Sequence, residues 1–355
     1  GTTYLQNVFW RNRTALTEAG VYVPLASPVK HFHAALDLRQ MPFNGWENPA
    51  VPGTWEKLVT ATRSAPTERV LISHELFAGA KADEVGRLVD ALAPANVHVV
   101  YGARDLARQL PAVWQESVKN KSGQRFGDFL DRIVGQCDAG DIEKAGFWRG
   151  QHAVAALRRW GTHIPSERIH VVTLPQSGAP PTTLWERFCS VLGLDPAEYD
   201  LDVGRTNPSL SAEETEVLRL VNRALPEDVT WPIYDRRIKR RFNRRADAGS
   251  PGSRLRVPVR YRDRIAEFTV EIKEGLAAAG YGIVGDLDDL DPTDAVFDQA
   301  APVKDAEVAT AAARMLAELL MEVAPVSPAR SPDGHPGGSR VRELAGKVVR
   351  RVRRS

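Results

Sequence analysis

Apolar residues recur along most of this chain at one of two spacings. Leu5, Val8, Phe9 and Leu16 fall on one face of a helix predicted over residues 4–19 and ended by Gly20. The sequence reads as further helices at 56–63, 81–92, 105–119, 151–160 and 182–192, the last stopped by Gly193. Between them lie short apolar runs that read as buried strands. These are Arg69-Val70-Leu71-Ile72-Ser73, Val97-His98-Val99-Val100-Tyr101 and Arg168-Ile169-His170-Val171-Val172-Thr173-Leu174, with Val21-Tyr22-Val23-Pro24 as a short extended piece. Strand alternating with helix predicts an α/β fold with parallel strands and right-handed crossovers. Ligands of such sheets bind beyond the carboxyl ends of the strands. His74, Glu75 and Arg104 fall at those ends.

Two stretches break the alternation. Residues 25–54 are rich in proline and carry His31, His33, Trp46 and Trp55. They read either as a substrate-facing loop or as a small surface helix bearing the two histidines. Residues 121–150 read as an excursion whose Phe126, Phe129, Phe147 and Trp148 either line a pocket or simply pack. Selectivity for a substrate is expected from these two stretches. A loop at 195–210 contains Asn207 and Ser209, which read either as contacts to a bound nucleotide or as caps for a helix at 211–225. Helices at 232–245 and 259–279 follow, the first dense in arginine, and Gly285–Leu290 closes a domain over 1–299.

The segment 300–355 holds an alanine-rich amphipathic helix at 303–323, a Pro/Gly/Ser linker at 324–339 and a basic end. That end, Arg340–Ser355, is either a basic amphipathic helix lying on an anionic membrane surface or a solubilising tail that touches nothing.

Composition narrows the class. Over 355 residues, 43% hydrophobic and 26% charged content are those of a soluble globular chain. No apolar run is long enough to span a bilayer, and no signal peptide is visible. A net charge of +2 argues against a nucleic-acid partner for the chain as a whole. Cys137 and Cys189 make neither a zinc pattern nor a disulfide framework, so both read as buried thiols in a reducing compartment. A cytoplasmic location is expected, with peripheral membrane contact through the basic tail as an option.

The first residues carry the candidate chemistry. Gly1, Thr2 and Thr3 open the first helix, where unpaired backbone N–H groups and the helix dipole favour an anion. Taken alone they read equally as an ordinary N-cap. A phosphate loop in an α/β protein normally follows a buried strand. None precedes Gly1, so the sequence reads as a fragment cut just inside its first motif, with the first strand missing.

The order of pieces then becomes informative: Gly-Thr-Thr at a helix start, a strand ending in Ser73-His74-Glu75, Tyr101-Gly102-Ala103-Arg104-Asp105, Glu167-Arg168-Ile169-His170-Val171-Val172, and Phe188-Cys189-Ser190-Val191-Leu192-Gly193-Leu194. This combination resembles the PAPS-dependent sulfotransferases, in particular their actinobacterial branch, over roughly residues 1–295. The resemblance implies a P-loop-like three-layer fold, a central parallel sheet flanked by helices. It also implies sulfuryl transfer from 3′-phosphoadenosine 5′-phosphosulfate (PAPS) to a hydroxyl or amine, without a metal. Gly1, Thr2 and Thr3 match the loop that holds the 5′-phosphosulfate, and Tyr4 a position often aromatic near the adenine. Arg104 matches the arginine on the 3′-phosphate. Many members have a serine eight residues further on; here Ala112 stands there, and Gln115 is the candidate replacement. Arg240 and Arg241 lie in the region of a later segment that also grips the 3′-phosphate. His74 matches the general base of the cytosolic branch, and Glu75 is the alternative, a carboxylate base. The implied acceptor is a small molecule, a carbohydrate or a glycolipid.

The chemistry suits these residue types. Sulfuryl transfer, like phosphoryl transfer, proceeds in line through a loose transition state, so positioning and positive charge dominate. An arginine fork makes paired bonds to a phosphate, and an alcohol needs a base to take its proton. Two rivals remain. A P-loop kinase places Lys-Ser/Thr directly after its last glycine, whereas Thr-Thr-Tyr follows Gly1. A catalytically inactive nucleotide-binding or interaction module would keep the fold without the turnover.

Overall fold

The computed structural model describes residues 2–143, 146–204, 209–247, 249, 252–299 and 303–323. Gly1, Asn207, the linker and the basic tail therefore lie outside the described residues. Among the described residues the strands are β1 (Val21–Tyr22), β2 (Arg69–Val70), β3 (Val99–Ala103), β4 (Ile169–Thr173), β5 (Val257–Pro258), β6 (Gly282–Val284) and β7 (Phe297–Asp298). Every pairing is parallel: β1 with β2, β3 with β4 with β6, and β5 with β7. The central ladder sets Tyr101 opposite Val171 and Val171 opposite Ile283.

Helices cover this sheet layer on both faces, which gives the α/β architecture read from the sequence. Side chains of a strand alternate between faces. Leu71, Val100, Val172 and Val284 enter one apolar cluster with Leu5, Val8, Phe9, Leu184, Trp185 and Phe188. Their neighbours Ile72, Val99, Tyr101, Val171 and Ile283 enter the opposite cluster with Val85, Leu88, Leu110, Leu157 and Ile272. The β1–β2 pair and the β3–β4–β6 sheet thus share one layer. They are not hydrogen-bonded to each other. β4, in the middle, is buried except at His170. β3 is only partly buried over Val99–Gly102 although both its faces are covered, since its edge away from β4 is unpaired.

Most helices fall where the periodicity predicts them, among them Ala82–Leu92, Leu106–Lys119, Ala153–Trp160 and Thr183–Leu192. Four stretches are decided by packing and side-chain contacts. The first helix is two, Thr2–Arg11 and Arg13–Glu18, broken at Asn12. The Asn12 amide donates to the Val8 and Asp200 carbonyls, at 2.9 and 2.8 Å, and its oxygen accepts from Asp200 N at 2.9 Å. Such side chain–backbone bonds compete with the helix ladder. Residues 25–54 are largely ordered: Pro28–Leu38 is a helix whose His31 and His33 are both buried, so it is not a surface helix. The expected helix 232–245 is Trp231–Tyr234, a wide π turn Asp235–Lys239, and Arg240–Asp247. The extra residue in that turn lets Lys239 reach Glu116 at 3.1 Å while Phe242 enters the core. The aromatic residues at 126–148 pack on one another rather than lining a pocket; Trp148 is fully buried and its indole donates to the Ile133 carbonyl.

The helix Asp305–Val323 lies against Ala212–Ala224 through Val308 and Ala311. The buried Glu214 carboxylate ties it down by accepting from Arg245 and Arg314. No helix among the described residues is long and apolar enough to cross a membrane.

The position of the first helix rests on Phe9, which is buried against Phe188 (ring centres 4.8 Å apart) and Trp185 (6.1 Å). Phe9→Ala removes that wedge and is expected to cost about 3–5 kcal/mol in urea unfolding. A loss within experimental error of zero would mean that this helix does not depend on the cluster.

Candidate functional site

The carboxyl ends of two strands meet the first helix. A Cβ placed on Gly102, at the end of β3, would lie 3.7 Å from Thr2 Cγ2. One helical turn further along, Gln6 Nε2 reaches Ser73 Oγ and Glu75 Oε2, both at 3.4 Å, beyond β2. Thr2, Gln6, Ser73, Glu75 and the segment after Gly102 therefore line one edge of the sheet layer. The helix Thr2–Arg11 points its N-terminal N–H groups at that edge, with partial positive charge. Gln6 is absent from the sequence reading. Its signal was its place four residues after Thr2, on the same helix face.

His74 and Glu75 open a short 3-10 turn, Glu75–Gly79. His74 Nδ1 accepts from Leu76 N at 3.2 Å and caps the turn. That bond requires the neutral ring to carry its proton on Nε2, which lies 3.7 Å from Glu75 Oε2. Burial lowers the His74 pKa, partly offset by the Glu75 charge. Its one lone pair is thus taken by the backbone. The Glu75 carboxylate is mostly exposed and bonded only to Gln6 and the His74 edge among the described residues. The far end of the turn is held by arginines. Arg39 Nη1 donates to Leu76 O (3.0 Å), and Arg159 donates to Ala78 O (3.2 Å) and Ala80 O (2.9 Å). An aromatic run abuts His74: Phe32 at 5.2 Å, then Phe43 on Phe32 and Trp231 on Phe43, each at 5.0 Å.

Arg104 follows β3 directly and is partly buried. Among the described residues its guanidinium has no hydrogen-bond partner. Burial and the neighbouring Arg108 charge push its pKa down, against a pull from Asp105. Asp105 is buried and serves as N-cap of Leu106–Lys119, Oδ1 accepting from Arg108 N at 2.8 Å.

Other predicted positions are placed elsewhere. Tyr4 packs into the first-helix cluster near Cys189, and burial raises its pKa. Gln115 is buried, its amide spent on the Leu210 carbonyl (2.9 Å) and Thr215 Oγ1 (3.1 Å). It lies nine residues into its helix, roughly 13 Å along the axis from the Arg104 end. Arg240 is exposed and paired to Asp235 at 2.9 Å. It and Arg241 follow Lys239, which grips the far end of the same helix at Glu116 and Asn120. The first helix thus meets the His74–Glu75 turn through Gln6 and the strand that leads into Arg104 through Thr2, while Gln115 and Arg240 are engaged elsewhere. No cluster of three or more His, Cys, Asp or Glu side chains suited to a metal occurs among the described residues.

The chain was compared with protein-family models, with curated proteins and with solved structures, and none matches it.

His31 links the site to the core. It is almost fully buried, its Nε2 donating to the Pro24 carbonyl (2.8 Å) and its Nδ1 accepting from Ser73 N (3.2 Å). Burial lowers its pKa below the ordinary 6.5, as it does for His74 and His152. Such groups protonate in the unfolded chain first. Stability is full above pH 6.5 and falls as pH drops from there toward the folded-state values. Each contributes a slope of up to about 1.4 kcal/mol per pH unit. Urea unfolding across this range is expected to show uptake of more than one proton. A flat profile would mean that these rings are not held neutral.

Proposed function

We propose that this chain is a PAPS-dependent sulfotransferase. It passes a sulfuryl group from PAPS to a hydroxyl, or an amine, of a small-molecule, carbohydrate or glycolipid acceptor. The observation that carries the reading is Arg104: a partly buried guanidinium with no hydrogen-bond acceptor among the described residues, at the end of the strand whose Gly102 lies against Thr2. A desolvated cation in that position is stabilised by an anionic ligand.

The resemblance supplies the donor-binding roles, and the geometry supports the choice between the two bases. The N–H groups and hydroxyls of Thr2 and Thr3 receive the 5′-phosphosulfate, and Arg104 receives the 3′-phosphate. Glu75 is the base. The lone pair of His74 is engaged by Leu76 N–H, so His74 holds the turn and offers its Nε2–H edge to the carboxylate. The acceptor oxygen attacks sulfur in line and its proton passes to Glu75. The bond from sulfur to the bridging oxygen breaks, and adenosine 3′,5′-bisphosphate leaves. The aromatic run Phe32–Phe43–Trp231 beside His74 supports an acceptor with an apolar face.

The divided parallel sheet is compatible with a P-loop-like order of strands. The β1–β2 pair and the β3–β4–β6 sheet share both helix layers, and the facing edges of β2 and β3 are unpaired among the described residues.

Calorimetric titration with adenosine 3′,5′-bisphosphate tests the nucleotide site. Binding by the wild type and its loss in Arg104→Ala are expected; a wild type that binds ATP and not the bisphosphate contradicts the reading. Turnover with PAPS separates the two candidate bases. Glu75→Gln is expected to lose about 10²–10⁴-fold in kcat with bisphosphate affinity unchanged. His74→Asn, whose side chain can still cap Leu76 N, is expected to retain most of its activity. The reverse order would make His74 the base.

A further inference from the structure

Arg108 lies four residues after Arg104, in the first turn of Leu106–Lys119. Its guanidinium is fixed on two sides. Nε bonds to the buried Asp105 carboxylate, and Nη1 donates to the Pro175 carbonyl at 3.1 Å. Nη2 is shielded from solvent and has no partner among the described residues. A buried donor left unpaired costs about 1–3 kcal/mol, so an orphan nitrogen at a ligand site calls for a physical account. Arg108 and Arg104 are close enough for each other's charge to matter, and Asp105 balances only one of the two. Ala112 follows one turn later on the same helix face and is exposed.

We propose that Arg104 and Arg108 form a two-arginine clamp for a phosphomonoester dianion, Arg108 Nη2 supplying the hydrogen bond that Ala112 cannot. The clamp rests on the nucleotide-binding reading and deepens it. The chain departs from the related pattern at Ala112, and the amide of Gln115 is committed elsewhere. Arg108 is the group that remains, held ready by Asp105 and Pro175. Both arginines then face one dianion, the 3′-phosphate of the donor, which is the feature separating it from a nucleoside 5′-phosphate.

The test is the preference for adenosine 3′,5′-bisphosphate over 5′-AMP, measured by calorimetry on the full chain. Arg108→Lys keeps a charge for Asp105 but loses the fork, and is expected to lower that preference about tenfold. Adding Ala112→Ser to Arg108→Lys is expected to recover part of it, which a purely structural role for Arg108 would not produce. An unchanged preference in Arg108→Lys, with loss confined to Arg104→Ala, overturns the clamp and leaves the sulfotransferase reading standing. A wild type with no preference for the bisphosphate overturns that reading itself. Ala112→Ser alone does not touch the Asp105 pair and covers the case in which Arg108 variants fail to fold. It is expected to change affinity by less than about threefold, since Arg108 already occupies the phosphate; a gain of tenfold or more would mean that no donor does.

Discussion

Parallel pairing is the constraint from which the rest of the molecule follows. A parallel strand cannot be joined to its neighbour by a hairpin, so each connection returns over a face of the sheet, usually as a helix. The helices between β2 and β3 and between β3 and β4 are those returns. They bury both faces, and they also leave the carboxyl ends free of covering chain. The helix Thr2–Arg11 meets two of those ends at once, at Gly102 and at Ser73. Groups distant in sequence are thereby brought to one edge without a dedicated scaffold.

At that edge the charges are unequal. Asp105 is bonded to its own helix N-terminus and to Arg108, while Arg104 has no hydrogen-bonded counter-ion among the described residues. Placing guanidinium groups where water is partly excluded is unfavourable unless a partner completes the arrangement. Two other sites show the opposite arrangement. Glu214 meets Arg245 and Arg314, and Asp289 meets Arg187 at 2.6 Å, so each of these carboxylates is matched locally. Arg104 departs from that pattern, at the carboxyl end of its strand.

How much of this was legible in the sequence differs by element. The long helices and the strands at 169–173 and 99–103 follow from uninterrupted period or apolar runs, the latter displaced by two residues from the expected 97–101. Arg104 and Glu75 were legible because they immediately follow such runs. β5, β6 and β7 were not, because two or three residues such as Val257-Pro258 carry no period. The break at Asn12 depends on Asp200, far away in sequence, and no local pattern encodes it. Gln115 looked available on spacing alone; only the fold reveals that Leu210 and Thr215 claim it. Arg240 and Arg241 stood out as charges, but their helix is anchored at the opposite end of Leu106–Lys119.

The neighbouring residues His74 and Glu75 show why residue type alone does not assign a base. In sequence the imidazole is the stronger candidate, since its ordinary pKa lies close to neutral. In the fold its Nδ1 is needed by the backbone of the turn that carries Glu75, and burial disfavours its protonated form. To accept a proton from an acceptor hydroxyl, His74 would first have to release Leu76 N–H, uncapping the turn. Glu75 has no such obligation, and Gln6 and the His74 edge set its direction. In the proposed transfer the histidine would thus set the carboxylate's position, and the proton would pass to the side chain left free to take it.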